Sequence, residues 1–169
     1  DSLGGAGLGV KLGATSVDHL MAIRDEDIIA LSNSNTIANI LPGTSFYLNK
    51  NYANARAMID QGCALSISTD YNPGSCPTEN FQLICQLAAN YLKMSPEEIL
   101  NASTINPAYH LGISDYTGSL EVGKDADIIL LDIPNLAYML YHFGVNHVTD
   151  VFKKGHLVIK NKVLQGGIQ

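Results

Sequence analysis

Cys63-Ala64-Leu65-Ser66-Ile67-Ser68-Thr69-Asp70, with the run Tyr71-Asn72-Pro73-Gly74-Ser75-Cys76-Pro77 after it, decides how the rest of the chain is read. The first eight residues predict a strand apolar enough to be buried on both faces. That strand ends in a carboxylate. A charge at the end of a buried strand is costly unless it is paired, hydrogen-bonded or bound to a metal. Asp70 is therefore either a turn-holding cap, for which Asp-x-Asn-Pro-Gly is good chemistry, or a site residue. The following loop brings Asn72, the backbone at Gly74 and the Ser75 hydroxyl to the same rim, which suits a polar ligand. On spacing alone the two readings stand level.

Working outward, strands and helices alternate. Upstream, Ala14–Leu20 is a short strand ending in polar groups, and 25–34 is a helix with Asp25 as its cap. Thr36–Leu41 is a second strand, closed by the turn pair Pro42-Gly43, and 53–61 is a helix stopped by Gly62. The segment 3–12 has helical potential, but four glycines weaken it. Downstream, 79–93 is the clearest helix, with Phe81, Ile84, Cys85, Ala88 and Leu92 at helical spacing. Ser95-Pro96-Glu97-Glu98 opens another, with Ser as cap and an acidic first turn, and 106–111 is a short third. This alternation implies an α/β fold with parallel strands and crossover helices, whose chemistry sits at the carboxyl ends of strands. His19 and Asp70 both fall there. Asp18 points to the other face of its strand and is expected to make a structural bond. From Gly118 the texture changes. The strand 128–131 and a hairpin over 148–162, turning at Gly155, form a small β layer. Two parts are expected, 1–116 and 117–169.

Of the 169 residues, 46% are apolar and 15% charged, a globular composition, and the net charge is −6. An acidic chain lacks the basic footprint for nucleic acid or an anionic membrane. No apolar run reaches the roughly 20 residues of a bilayer helix, and the opening residues show no signal peptide. Cys63, Cys76 and Cys85 have no CxxC spacing and read as free thiols of a reducing compartment, with the cytoplasm as default. Cys76, beside the Asp70 loop, is the one to test for reactivity. His142 and His147 read as packing or interface residues, and His110 and His156 as surface or helix-end residues. The absence of an initiating Met and the Gly-rich opening lead to the expectation that the chain is a piece of a longer protein.

Ser68 through Glu79, Ser-Thr-Asp-Tyr-Asn-Pro-Gly-Ser-Cys-Pro-Thr-Glu, closely resembles the last barrel strand and loop of imidazolonepropionases. Ala14–Leu20, Asn101–Tyr109, Gly118–Asp127 and Tyr141–Asn146 resemble them too, so the resemblance covers essentially the whole chain. The Gly-x-x-x-x-Gly-Lys-x-Ala-Asp element at 118–127 is shared by many amidohydrolases and carries superfamily information only. The resemblance implies the C-terminal part of a (β/α)8 TIM barrel plus part of a small β-sandwich. It also implies one divalent metal, zinc or iron, and hydrolysis of the cyclic amide 4-imidazolone-5-propanoate to N-formimidoyl-L-glutamate in histidine degradation. By position, the resemblance implies that Asp70 is the metal-ligand aspartate and a catalytic residue, His19 the catalytic histidine, and Asn72, Gly74 and Ser75 the substrate-holding loop. The family's His-x-His and a third metal-binding histidine are absent. One ligand of four remains, three barrel strands of eight are counted, and the chain alone is expected to be inactive, to hold no metal and to form a homo-oligomer through its open strand edges. A small-molecule substrate is the expected partner. The alternatives are another metal-dependent amidohydrolase, such as a deaminase or a dihydroorotase-like enzyme, and a non-catalytic binding or assembly module.

Overall fold

A computed structural model describes residues 2–166; the outer ends of the two expected parts, Asp1 and Gln169, lie outside the described residues. Three parallel strands, β1 (Ser16–Asp18), β2 (Ile37–Ile40) and β3 (Leu65–Ile67), pair in that order, with Val17 beside Ala38 and Asn39 beside Ser66. The helices are α1 (Gly5–Lys11), α2 (Asp25–Ser32), α3 (Pro42–Tyr47), α4 (Ala55–Asp60), α5 (Phe81–Tyr91), α6 (Pro96–Ser103), α7 (Ile105–His110) and α8 (Leu136–Tyr141). A second, antiparallel sheet runs β4 (Ile128–Leu131), β5 (Val148–Lys153), β6 (His156–Lys160) and β7 (Val163–Leu164) in chain order. The hairpin between β5 and β6 turns at Lys154-Gly155, as the sequence predicts.

Successive strand residues point to opposite faces, and the parallel sheet uses both. Ala38, Ile40, Leu65 and Ile67 face the helices and merge with Met58, Ile84 and Ala88 into the core. On the other face Ser66 of β3 is buried as expected, but Asn39 is half-buried and Asp18 exposed, and the face is polar because the apolar run of β3 is interrupted at every second position.

Several elements differ from expectation. The three parallel strands are shorter than expected by two to five residues, and past the carboxyl ends of β1 and β3 the chain turns into left-handed backbone at His19, Leu20 and Asp70. The α2 cap position is Arg24, and Asp25 is the first helical residue; no side chain caps this end. Instead Arg24 reaches forward to the buried Asp27, Nε to Oδ2 at 2.8 Å and Nη2 to Oδ1 at 3.0 Å. The glycines of α1 have a purpose that propensity hides. A Cβ on Gly7 would stand 2.3 Å from Asp27 Oδ1, and one on Gly9 2.4 Å from Val17 Cγ1, so this helix lies closer to α2 and β1 than any side chain would permit. Two helices were not expected at all. α3 starts directly after β2 with Pro42 at its first position, and α8 is capped by Asn135, whose side chain accepts from the Tyr138 N–H at 2.9 Å.

The segment from α8 to His147 ties the second sheet to α5. Gln86, buried in α5, donates to the carbonyls of Met139 (2.9 Å) and His142 (3.2 Å) and accepts from the Gly144 N–H (2.9 Å). One turn earlier, Gln82 accepts from the His147 N–H and donates to Asn146 Oδ1. His142 and His147, expected as packing or interface residues, both pack on Tyr138: His142 stacks on its ring and His147 meets it edge-on. Among the described residues no helix is long and apolar enough to cross a membrane.

The α6 start follows the sequence reading closely. Ser95 accepts from the Glu98 N–H at 3.2 Å, and the Glu98 carboxylate accepts from the Ser95 N–H at 2.7 Å. The same carboxylate takes both Nη groups of Arg56 on α4, at 2.9 and 3.0 Å. Arg56, then the Ser95 backbone, hold the Glu98 carboxyl below its ordinary value of 4.5. A depressed carboxyl stabilises the fold above its ordinary value and stops doing so as pH falls through the folded value. Glu98→Ala is therefore expected to cost about 1–2 kcal/mol in urea unfolding at neutral pH, and the gap to wild type should shrink on acidification below that value. An undiminished gap in acid would show that the charge contributes nothing.

Candidate functional site

Parallel strands put their carboxyl ends on one rim, and here the chain breaks from extended geometry at two of the three. His19 follows β1 with φ 67° and Leu20 continues at 59°; Asp70, three residues past β3, has φ 54°. Left-handed backbone at a non-glycine residue costs on the order of 1–3 kcal/mol and persists only where surrounding bonds enforce it. Those bonds are present. The ladder runs one step past the strands, with the His19 N–H on the Asn39 carbonyl (3.0 Å) and the Ser68 N–H on the Ile40 carbonyl (3.2 Å). With β2 between them, the two strand ends stand roughly 10 Å apart, two strand spacings.

Asn39 organises the face beneath. Its Nδ2 donates to Asp18 Oδ1 (2.9 Å) and Ser68 Oγ (3.1 Å), and its Oδ1 accepts from Ser66 Oγ (3.0 Å) and Ser68 Oγ (3.3 Å). His110, at the end of α7 as expected of a helix-end residue, brings Nε2 to 3.4 Å from Ser66 Oγ. Asp18 thus makes the structural bond predicted for it.

The Asp70 loop is closed on itself by Asn72. Its Oδ1 accepts from the N–H groups of Gly74 and Ser75, both at 2.8 Å, while its Nδ2 donates to the Asp70 carbonyl (2.6 Å) and Ser75 Oγ (2.7 Å). All of Asn72's polar capacity is spent shaping the loop, so Asn72 is its template, and Gly74 and Ser75 are what the loop displays. The Asp70 carboxylate accepts from Thr44 Oγ1 at 2.6 Å and from Ser75 Oγ at 3.4 Å, both on Oδ2. No Lys, Arg or His among the described residues forms an ion pair with it. His19 presents a second unmatched group: its Nδ1 is buried and has no hydrogen-bonding partner among the described residues.

A half-buried carboxylate with no protein cation, set beside an orphaned imidazole nitrogen on the same rim, fits one ligand of a divalent cation and a polar group awaiting its partner. The described residues do not form a whole coordination shell: no group of three or more His, Cys, Asp or Glu among them could hold a metal.

Sequence reasoning missed Asn39 and Thr44. Asn39 had a signal, a lone amide inside Ile-Ala-Asn-Ile. Thr44 had only Pro42, read as a turn where it starts a helix. Cys76 is corrected in the other direction. It is buried, with 1% exposure, and burial, helped by the Asp70 charge, pushes its thiol up against the smaller opposite pull of the Thr78 N–H. Since the thiolate is the reactive form, Cys76 is expected to resist a disulfide reagent at mildly alkaline pH no less than the buried Cys85 does. Modification of Cys76 in the folded protein at the rate of a free thiol would overturn that reading.

Comparison with known proteins sets this geometry in context. A family model described as the amidohydrolase family matches residues 6–158. The imidazolonepropionase of Fusobacterium nucleatum subsp. nucleatum is 55% identical over 159 residues, 94% of this chain and 38% of that protein. That of Bacillus cytotoxicus is 51% identical over 158 residues, 93% of this chain and 37% of that protein. The chain thus spans less than two-fifths of the length of these relatives. Among solved structures, an adenosine deaminase from Xanthomonas campestris with bound zinc superposes with a TM-score of 0.82 at 23% identity, covering 90% of this chain and 38% of that one. An atrazine chlorohydrolase from Arthrobacter aurescens complexed with zinc gives 0.76 at 21% identity, covering 88% and 37%. At such identities the structures speak for the fold alone, that of an amidohydrolase barrel.

Proposed function

The chain belongs to the amidohydrolase family, and from that premise we propose that it supplies one sector of the active site of an imidazolonepropionase, which opens 4-imidazolone-5-propanoate with water to give N-formimidoyl-L-glutamate. The observation that carries this reading is the Asp70 carboxylate, held past a strand's carboxyl end by hydroxyls and paired with no cation among the described residues. The 51–55% identity to imidazolonepropionases supports it over a deaminase or dihydroorotase-like activity, since the deaminase likeness stands at 23% identity.

Asp70 would hold a divalent metal, zinc or iron, together with ligands from outside the described residues. When bound, such a metal supplies Lewis acidity for the ring carbonyl and makes the attacking water more acidic. The protein's own residues do the rest. Thr44 and Ser75 occupy Oδ2 of Asp70, which leaves Oδ1 to take a proton from the attacking water and return it to the ring nitrogen as the C–N bond breaks. The buried Nδ1 of His19 orients that water or stabilises the oxygen that gains charge. Gly74 and Ser75, on the loop that Asn72 shapes, hold the polar part of the ring or its propionate tail. The Ser75 hydroxyl reaches Asp70 Oδ2 only at 3.4 Å, so its proton is cheaply released to a ligand. The outer edges of β1 and β3 have no strand neighbour among the described residues; they are proposed to pair with further barrel strands, and homo-oligomerisation is proposed for the assembled protein.

In a protein that carries this sequence with the rest of the barrel, Asp70→Asn is expected to cut turnover by about 10²–10⁴-fold without unfolding it. His19→Ala should cut turnover strongly while bound metal stays at wild-type stoichiometry. Asp70→Asn that keeps more than about a tenth of the activity, or metal loss in His19→Ala, would refute the corresponding role. Ser75→Ala should raise KM by about 10- to 150-fold, the equivalent of one lost hydrogen bond to a charged group; a lower kcat at unchanged KM would contradict a binding role.

A further inference from the structure

Resting on that reading of Asp70, we propose that Thr44 is a positioning residue. Its hydroxyl selects which oxygen of the Asp70 carboxylate faces the metal and substrate, and it touches neither of them itself.

Three observations carry this. First, Thr44 is buried, at 5% exposure, and its Oγ1 makes one hydrogen bond among the described residues, to Asp70 Oδ2 at 2.6 Å. Valine has the same shape, so at a buried position the hydroxyl is justified only by its partner. A short O–H···O⁻ bond of this kind is among the stronger ones available to a carboxylate. Second, the competing support is weak. Ser75 reaches the same oxygen only at 3.4 Å, and Asn72 holds the Asp70 main-chain carbonyl, not its carboxylate. Third, Thr44 cannot drift. α3 is pressed between the Asp70 loop and α5: a Cβ on the adjacent Gly43 would stand 2.6 Å from Cys76 Sγ and 2.7 Å from Ile84 Cδ1. The helix is seated so tightly that the Thr44 hydroxyl is a fixed point, and the carboxylate is hung from it. Rotation of the Asp70 side chain would break its one short bond, so Oδ1 is presented in a single direction.

Groups that hold a metal-ligating side chain in place are typically worth 10–100-fold in metal affinity or activity. The test uses a protein that carries this sequence with the complete barrel, loaded with zinc. Zinc release to a chelator is followed alongside kcat and KM for Thr44→Val, Thr44→Ala and Thr44→Ser. Val and Ala are expected to release zinc about 10–100-fold faster and to lower kcat by a similar factor with KM little changed, and Ser, which keeps the hydroxyl, to restore both. Should Val fail to fold, Ala against Ser decides, because both lack the methyl group and only Ser has the hydroxyl. Equal zinc release and kcat in Ala and Ser, or wild-type values in a folded Val variant, overturn the proposal. If Asp70→Asn is inactive while the Thr44 variants behave as wild type, this inference alone fails. If Asp70→Asn is active, it falls together with the reading on which it rests.

Discussion

One amide holds the polar face of the sheet together. Asn39 lies in the central strand with its Nδ2 on Asp18 and Ser68 and its Oδ1 on Ser66 and Ser68, so a single side chain spans all three strands. Leaving the buried Ser66 hydroxyl unmatched would cost about 1–3 kcal/mol, which makes the network exacting about register: slide one strand by one residue and the amide meets aliphatic side chains. The main chain of the same segment takes the N–H groups of His19 and Ser68. Order in the middle of the sheet is thereby handed to the rim, where the left-handed residues His19, Leu20 and Asp70 depend on it.

The strand–helix alternation was legible because its signals are local. Apolar runs, the Ser95-Pro96 start and the 3.6-residue spacing of 81–92 are decided within a few residues of themselves. The misreadings share one physical origin, contacts made across long stretches of chain. α1 looks like a poor helix by its glycines until Asp27 and Val17 are seen to occupy the space a side chain would need. Pro42-Gly43 reads as a turn until α5 and Cys76 are seen to press on it. The reading of β3 as buried on both faces holds, and the pairing of Ser66 with Asn39 shows why serines alternate in it.

The rim was legible in a different way. Asp70, Asn72, Gly74 and Ser75 stand in one short stretch, and turn chemistry alone places them together; the structure adds that Asn72 is consumed in shaping the loop. His19 lies 51 residues before Asp70 and could be set on the same rim only because parallel strands share a carboxyl end. Thr44 was out of reach. Its importance lies in one hydrogen bond to a residue 26 positions on, and nothing in the composition of a Pro-Gly-Thr-Ser run announces it.

Gln86 and Gln82 have a consequence for how the molecule comes apart. Between them they make five hydrogen bonds to the segment 139–147, three from Gln86 and two from Gln82. Pulling the small sheet away would strip partners from a glutamine that is 1% exposed and open an apolar seam along α5. A hinge needs a seam that can part cheaply, and this one cannot. The antiparallel sheet and the helix that follows the Asp70 loop are therefore tied into one cooperative unit of opening, in which α5 and α8 are expected to lose their protection together.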